Sequence, residues 1–212
     1  MNKPTRPVEW LVWGALGLTI AGIVAAFIWK QAGEWNRGEP LPVLFQVPDF
    51  TLTNQSARPV TLADLRGQIW LADIIFTRCA GPCPEMTRKM SALQAALPGN
   101  APVKLISLTT DPGHDTPPVL QAYAQRFGAQ VGRWHFLTGT KPQIARMAID
   151  GLKLTALDQE PARQTSDTDL FIHSTTIVLV DGRGRVRASF ETDQADSHER
   201  VLAAVQKLLR EK

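Results

Sequence analysis

The chain has 212 residues, enough for one ordinary domain with length to spare. It carries 23 Lys and Arg against 20 Asp and Glu; four of those cations and two of the acids precede residue 38, which leaves the rest balanced at 19 against 18. No basic cluster interleaved with aromatics marks a nucleic-acid surface, and two cysteines in all exclude a disulfide-stapled scaffold in favour of one dedicated redox or metal pair.

In chain order, a short N-terminus (1–9) precedes the run from Trp10 to Trp29, twenty residues without an ionisable side chain. A helix of that length spans a hydrocarbon core of roughly 30 Å, and tryptophans at both ends suit the headgroup belts. The run exceeds the apolar region of a secretory signal, roughly 7–15 residues, and Lys30-Gln31-Ala32-Gly33 matches a cleavage site poorly. The segment 10–29 is therefore expected to be a retained transmembrane anchor. Lys3, Arg6 and the amino terminus before it, against Lys30 and Arg37 after it, favour a cytoplasmic N-terminus by the positive-inside rule. That places the remainder across the inner membrane, in the periplasm of a Gram-negative cell. Residues 30–46 read as a polar tether punctuated by Gly and Pro, and 47–212 as the globular domain.

Within that domain Asp49 to Thr53 alternates as a strand, Asn54 to Ala57 turns, and Pro59 to Leu62 returns as a hairpin. Leu62 to Gly67 is a helical turn closed by glycine. Ile69 to Phe76 is a nearly continuous apolar strand of the kind buried on both faces, interrupted only by Asp73. A helix follows to about Leu97, opened by Pro84. Further elements are predicted as strand Val103–Leu108, helix Thr116–Phe127, strand Trp134–Leu137 and helix Pro142–Ile149. Strands Thr175–Val180 and Val186–Phe190 flank Asp181-Gly182-Arg183-Gly184, a strong hairpin signal, before a helix from about Gln194 to Leu209. This alternation predicts a mixed α/β sheet covered on both sides.

The two cysteines sit where the central strand hands over to its helix, as Cys79-Ala80-Gly81-Pro82-Cys83-Pro84. Orphan backbone N–H groups and the positive end of the helix dipole favour thiolate there, which serves nucleophilic attack and metal binding alike. Three intervening residues leave enough play for the sulfurs to bridge one soft ion such as Cu(I). Four histidines are available as a further ligand. His198 opens the last helix among polar neighbours and reads as a solvated residue; His135 lies within a strand and reads as half-buried and satisfied. His114 leaves the carboxyl edge of its strand, the edge that also carries the cysteines. Met86, one turn after Cys83, reads as core rather than as a thioether ligand. Asp73 is either a hydrogen-bonded core carboxylate or one that tunes the thiols.

Several motifs coincide. Cys79-x-x-x-Cys83-Pro84 continues with Glu85-Met86; Leu105-Ile106-Ser107 leads to Asp111-Pro112-x-x-Asp115-Thr116-Pro117; Leu137-Thr138-Gly139-Thr140 precedes a helix; and His173 stands 90 residues after Cys83, before Ile177-Val178-Leu179-Val180-Asp181-Gly182. Over roughly residues 45–210 this set resembles the Sco/SenC family, membrane-tethered proteins of cytochrome c oxidase assembly. The resemblance implies a thioredoxin-like domain with an N-terminal hairpin and an inserted strand–helix unit. It also implies one copper ion per chain, as Cu(I) or Cu(II), on Cys79, Cys83 and His173. The implied partners are a copper donor and the dinuclear copper subunit of the oxidase or a similar cuproprotein. Ile172 departs from the acidic residue that many relatives carry before the histidine.

The leading expectation is thus a copper metallochaperone. The alternative is a thiol–disulfide reductase acting through Cys79 and Cys83 without copper transfer, for which His173 would be dispensable. A peroxidase or redox sensor would need only one activated cysteine. A closed zinc site would want four ligands, and an inert disulfide across so short a loop would contribute little.

Overall fold

The computed structural model describes residues 6–35, 39–154 and 175–211, with side chains from 12–26, 39–154 and 175–211. The chain divides into two compact units, Met1–Pro40 (with Glu211) and Leu41–Arg210.

In the first unit the expected helix forms as α1, Arg6–Trp35. Among the described residues no helix is long and apolar enough to cross a membrane, and the two ends of the expected span 10–29 lie outside the residues whose side chains are described. The described side chains run from 12 to 26.

The second unit is built on one eight-stranded sheet. Its strands are β1 (Phe45–Gln46), β2 (Thr51–Asn54), β3 (Pro59–Thr61), β4 (Ile69–Ile75), β5 (Val103–Thr109), β6 (Trp134–Thr138), β7 (Thr176–Val180) and β8 (Arg185–Glu191), in the order β1-β8-β7-β4-β5-β6-β2-β3. β4, β5 and β6 run parallel, and β4 pairs antiparallel with β7. The hairpins β2–β3 and β7–β8 form as the sequence predicts. Helices α2 (Cys83–Ala96), α3 (Pro117–Arg126), α4 (Lys141–Ala145) and α5 (Ser197–Arg210) complete the unit. This is the mixed α/β arrangement expected of a thioredoxin-like domain.

Every residue of β4 is buried, because both faces of the sheet are covered. Side chains alternate along a strand, so Ile69, Leu71 and Ile75 join Leu105, Trp134 and Phe136 in one apolar layer under α2, α3 and α5. Trp70, Ala72 and Ile74 join Ile106, Leu108 and Leu137 in the other, closed by Leu62, Ile144 and Met147. Each large side chain so buried contributes roughly 1.5–3 kcal/mol.

Three local features depart from expectation. Residues Phe45 and Gln46, assigned to the tether, form β1 and pair with Val186 and Arg185 at the sheet edge. The helix expected over 142–149 gives way after Ala145 to a π-helical turn, Arg146–Gly151. The final helix starts at Ser197, three residues later than predicted.

Candidate functional site

The carboxyl end of β4 delivers the cysteines. After Ile75 the chain turns tightly, with the Cys79 N–H donating to the Phe76 carbonyl (3.2 Å). Pro82 then caps α2, whose first residue is Cys83. With its fixed φ and missing N–H, Pro84 suits the first helical turn. Neither cysteine is in a disulfide, and both are buried, at 6% and 5% exposure. They lie in the layer under α2 with Met86, Met90 and Phe76.

Burial changes the electrostatics expected from the helix N-terminus. A hydrogen bond to Cys79 pushes the Cys83 thiol well above the ordinary cysteine range; burial adds to it, while a backbone hydrogen bond at Phe76 opposes both. The charges of Cys79 and of Asp73 raise it further. For Cys83, desolvation and a neighbouring sulfur therefore outweigh the dipole. The Thr87 hydroxyl, one turn on, donates to the Cys83 carbonyl (2.8 Å) and lies 3.0 Å from the Tyr123 hydroxyl of α3.

The segment before Cys79 is clamped by the loop after β5. Asp115, fully buried, accepts from the Thr77 N–H (3.0 Å) and from the hydroxyls of Thr77 and Thr109. The Arg78 guanidinium donates to Asp111 at 2.7 Å. His114 Nδ1 stands 3.1 Å from Asp115 and 3.4 Å from the Thr77 hydroxyl. Asp111, His114 and Asp115 thus bring ligand atoms within 4.8 Å of one another, while Asp111 Oδ2, His114 Nδ1 and both Asp115 oxygens are engaged in this clamp. The loop Asp111–Pro118, read from sequence as a rigid turn, is what fixes the approach to the thiols. The Asp111/Asp115 spacing was its visible signal, but nothing local showed that Thr77 and Arg78 were the partners.

Asp73 sits beneath the pair. It follows Ile69 and Leu71 on the thiol side of β4, its register partner on β5 is Ser107, and it is wholly buried. Trp134 Nε1 donates to the Ser107 hydroxyl (3.0 Å), which donates to Asp73 Oδ1 (2.6 Å). Asp73 Oδ2 has no hydrogen-bond partner. Burial, only partly offset by the Ser107 hydrogen bond, pushes this carboxyl up to about 7.

The other residues singled out in the sequence fall as follows. Met86 is core, its sulfur accepting from the Thr192 hydroxyl (2.9 Å), so it is committed away from the cysteines. His135 is half-buried, 3.4 Å from the Asn54 amide. Burial lowers its pKa, and Lys104 lowers it further. Its flanking residues Trp134 and Phe136 both point to the thiol layer, so alternation turns His135 away. His198 lies in the first turn of α5 and lines a cleft with Lys89 and Thr192. His173 lies outside the described residues.

Two unbridged cysteines at the junction of a central parallel strand and its helix define a thioredoxin-like dithiol domain. A protein-family model described as SCO1/SenC matches residues 43–210, and the chain belongs to that family. It is 32% identical over 191 residues to the SCO1 protein homolog of Bacillus subtilis (strain 168), covering 89% of this chain and 94% of that one. It is 31% identical over 160 residues to a Stutzerimonas stutzeri protein named for copper binding, covering 72% and 74%. Among solved structures it resembles BsSco, described as a Sco family member of cytochrome c oxidase assembly with a disulfide switch. That likeness has a TM-score of 0.70 and 31% identity, and spans 82% of this chain and 99% of the other.

Proposed function

We propose that this protein is a copper metallochaperone of cytochrome c oxidase assembly, with Cys79, Cys83 and His173 as the ligands of one copper ion per chain. The observation that carries the reading is the pair of unbridged, hydrogen-bonded cysteines at the turn into α2 in a chain of the SCO1/SenC family. The donor set fits a soft ion: both sulfurs are uncommitted to a disulfide, and thiolates select Cu(I) over harder cations. The S. stutzeri relative named for copper binding supports the same cargo.

In this role the two thiols take up copper as they lose their protons. The clamp of Asp111 and Asp115 on Arg78 and Thr77 holds the turn so that Cys79 stays beside Cys83. Arg78 and His114 are the more exposed members of that cluster, with side chains 38% and 44% exposed. The recipient is the dinuclear copper subunit of cytochrome c oxidase or a similar cuproprotein, and delivery includes reducing that subunit's cysteines where they are oxidised. We place the domain in the periplasm, tethered to the inner membrane through the N-terminal segment, on the strength of the uncharged run from Trp10 to Trp29.

The experiment is oxidase assembly in cells that carry His173→Ala in place of the native chain. Loss of assembled oxidase, restored by excess copper, is expected. Full oxidase activity with His173→Ala would sink the metal reading, because dithiol exchange has no need of a histidine.

A further inference from the structure

The two cysteines are buried, so a partner that exchanges metal or a disulfide with them must press its own atoms against the surface around them. The exposed residues of the turn are Arg78, Ala80 and Gly81, and those of the loop that clamps it are Gly113, His114 and Thr116. Alanine and glycine let a partner backbone approach closely. The charged or basic side chains among these six are Arg78 and His114, and the chemistry of the rim rests on them.

The clamp buries its acids and exposes its bases. The side chains of Asp111 and Asp115 are 8% and 0% exposed, against 38% for Arg78 and 44% for His114. Each base commits one edge to the clamp. Arg78 gives Nε to Asp111 (2.7 Å), and His114 turns Nδ1 to Asp115 (3.1 Å) and to the Thr77 hydroxyl (3.4 Å). Among the described residues, Nη1 and Nη2 of Arg78 and Nε2 of His114 have no partner. Glu85, the exposed acid in the first turn of α2, is held by Arg88 at 2.9 Å. A guanidinium whose Nη edge is unpaired receives a carboxylate through two parallel hydrogen bonds. Asp111 offsets the Arg78 charge at a distance, so such recognition acts on contact and not by long-range steering.

We propose that Arg78 is a carboxylate-recognition point at the rim of the cysteine pair, with His114 Nε2 as an adjoining donor. The protein partner of this site presents an acidic side chain next to the cysteines it brings to Cys79 and Cys83. The inference names the partner chemistry of the copper reading and rests on that reading for its biological use. The recognition itself is testable without copper.

The test reacts the full chain, reduced and metal-free, with two aromatic disulfides in stopped flow. One is dithiobis(nitrobenzoate), which carries a carboxylate on each ring, and the other is the uncharged dithiodipyridine. In each case a cysteine thiolate attacks the probe, forms a mixed disulfide with one half and expels the other half as a thiolate. The second cysteine loses its proton to solvent, closes the Cys79–Cys83 disulfide and expels the remaining half. The chain is oxidised by two electrons and the probe reduced by two. The readout is the ratio of first-step rate constants, anionic probe over neutral, divided by the same ratio for mercaptoethanol. Loosening of the turn changes both rates alike and leaves this ratio unmoved. The wild-type ratio should stand about threefold or more above one, and Arg78→Gln should bring it to about one. A wild-type ratio with no excess over mercaptoethanol would overturn the proposal, and decides alone if Arg78→Gln fails to fold. An excess that Arg78→Gln keeps in full would overturn it equally. Copper enters neither readout, so failure of copper binding and failure of this inference are separate results.

Discussion

At the scale of single residues, the thiol layer is governed by the contact between the two cysteines and by desolvation. Cys83 lies at the positive end of a helix, yet its thiol is pushed up, first by its hydrogen bond with Cys79 and then by burial. Asp73 is subject to the same force, and there it becomes a statement about stability. Its carboxyl rises from 3.8 to about 7 on folding, so the folded state binds more protons than the unfolded one between those values. Stability is therefore full below about pH 4, falls as pH rises towards 7, and is level above that, by a few kcal/mol in all. Asp73→Asn removes this slope. Urea midpoints measured from acid to alkaline pH should fall for wild type and stay flat for the variant, with the variant the more stable at pH 8. Parallel curves would mean that Asp73 is not neutralised by folding.

At the scale of elements, the strand-to-helix turn is held from outside itself. Asp115 reaches from the loop after β5 to the Thr77 N–H and hydroxyl and to the Thr109 hydroxyl. Asp115→Ala strands those donors at roughly 1–3 kcal/mol for each one left buried and unpaired. It should lower the unfolding free energy by several kcal/mol and speed alkylation of Cys79 as the turn loosens. Unchanged alkylation would show that the clamp does not set thiol access. The β7–β8 turn makes a second such junction, where the Gly67 N–H donates to the Gly182 carbonyl (2.8 Å). A Cβ at Gly182 would lie 3.0 Å from the Gly67 carbonyl carbon, which is backbone and cannot yield easily. Gly182→Ala should cost about 1–3 kcal/mol, read as a shift in urea midpoint.

At the scale of the whole molecule, the sequence shows what is encoded locally and hides what is not. The hairpin at Asp181–Gly184, the buried run of β4 and the opening of α2 after Pro82 are each legible because a turn residue, an apolar run or a proline acts on its own neighbours. The edge strand β1 was missed because Phe45 and Gln46 become a strand only by pairing with residues 185 and 186. The clamp was missed for a like reason, since Thr77 and Asp115 are 38 residues apart. Asp73 stood out as a lone acid in an apolar run, but its open oxygen and its place beneath the thiols appear only in three dimensions. The membrane span was read from composition over 10–29, and among the described residues no helix is long and apolar enough to cross a membrane.

The central claim is that Cys79, Cys83 and His173 hold one copper ion. The most direct measurement is the copper content of the full chain after anaerobic reduction and loading, first with Cu(I) and then with Cu(II). Elemental analysis would compare wild type with Cys79→Ser, Cys83→Ser and His173→Ala. The account predicts one tightly held copper per chain in wild type and its loss in all three variants. A reduced wild-type chain that retains no copper yet still reduces a disulfide, or a serine variant that keeps the full complement of metal, would contradict it.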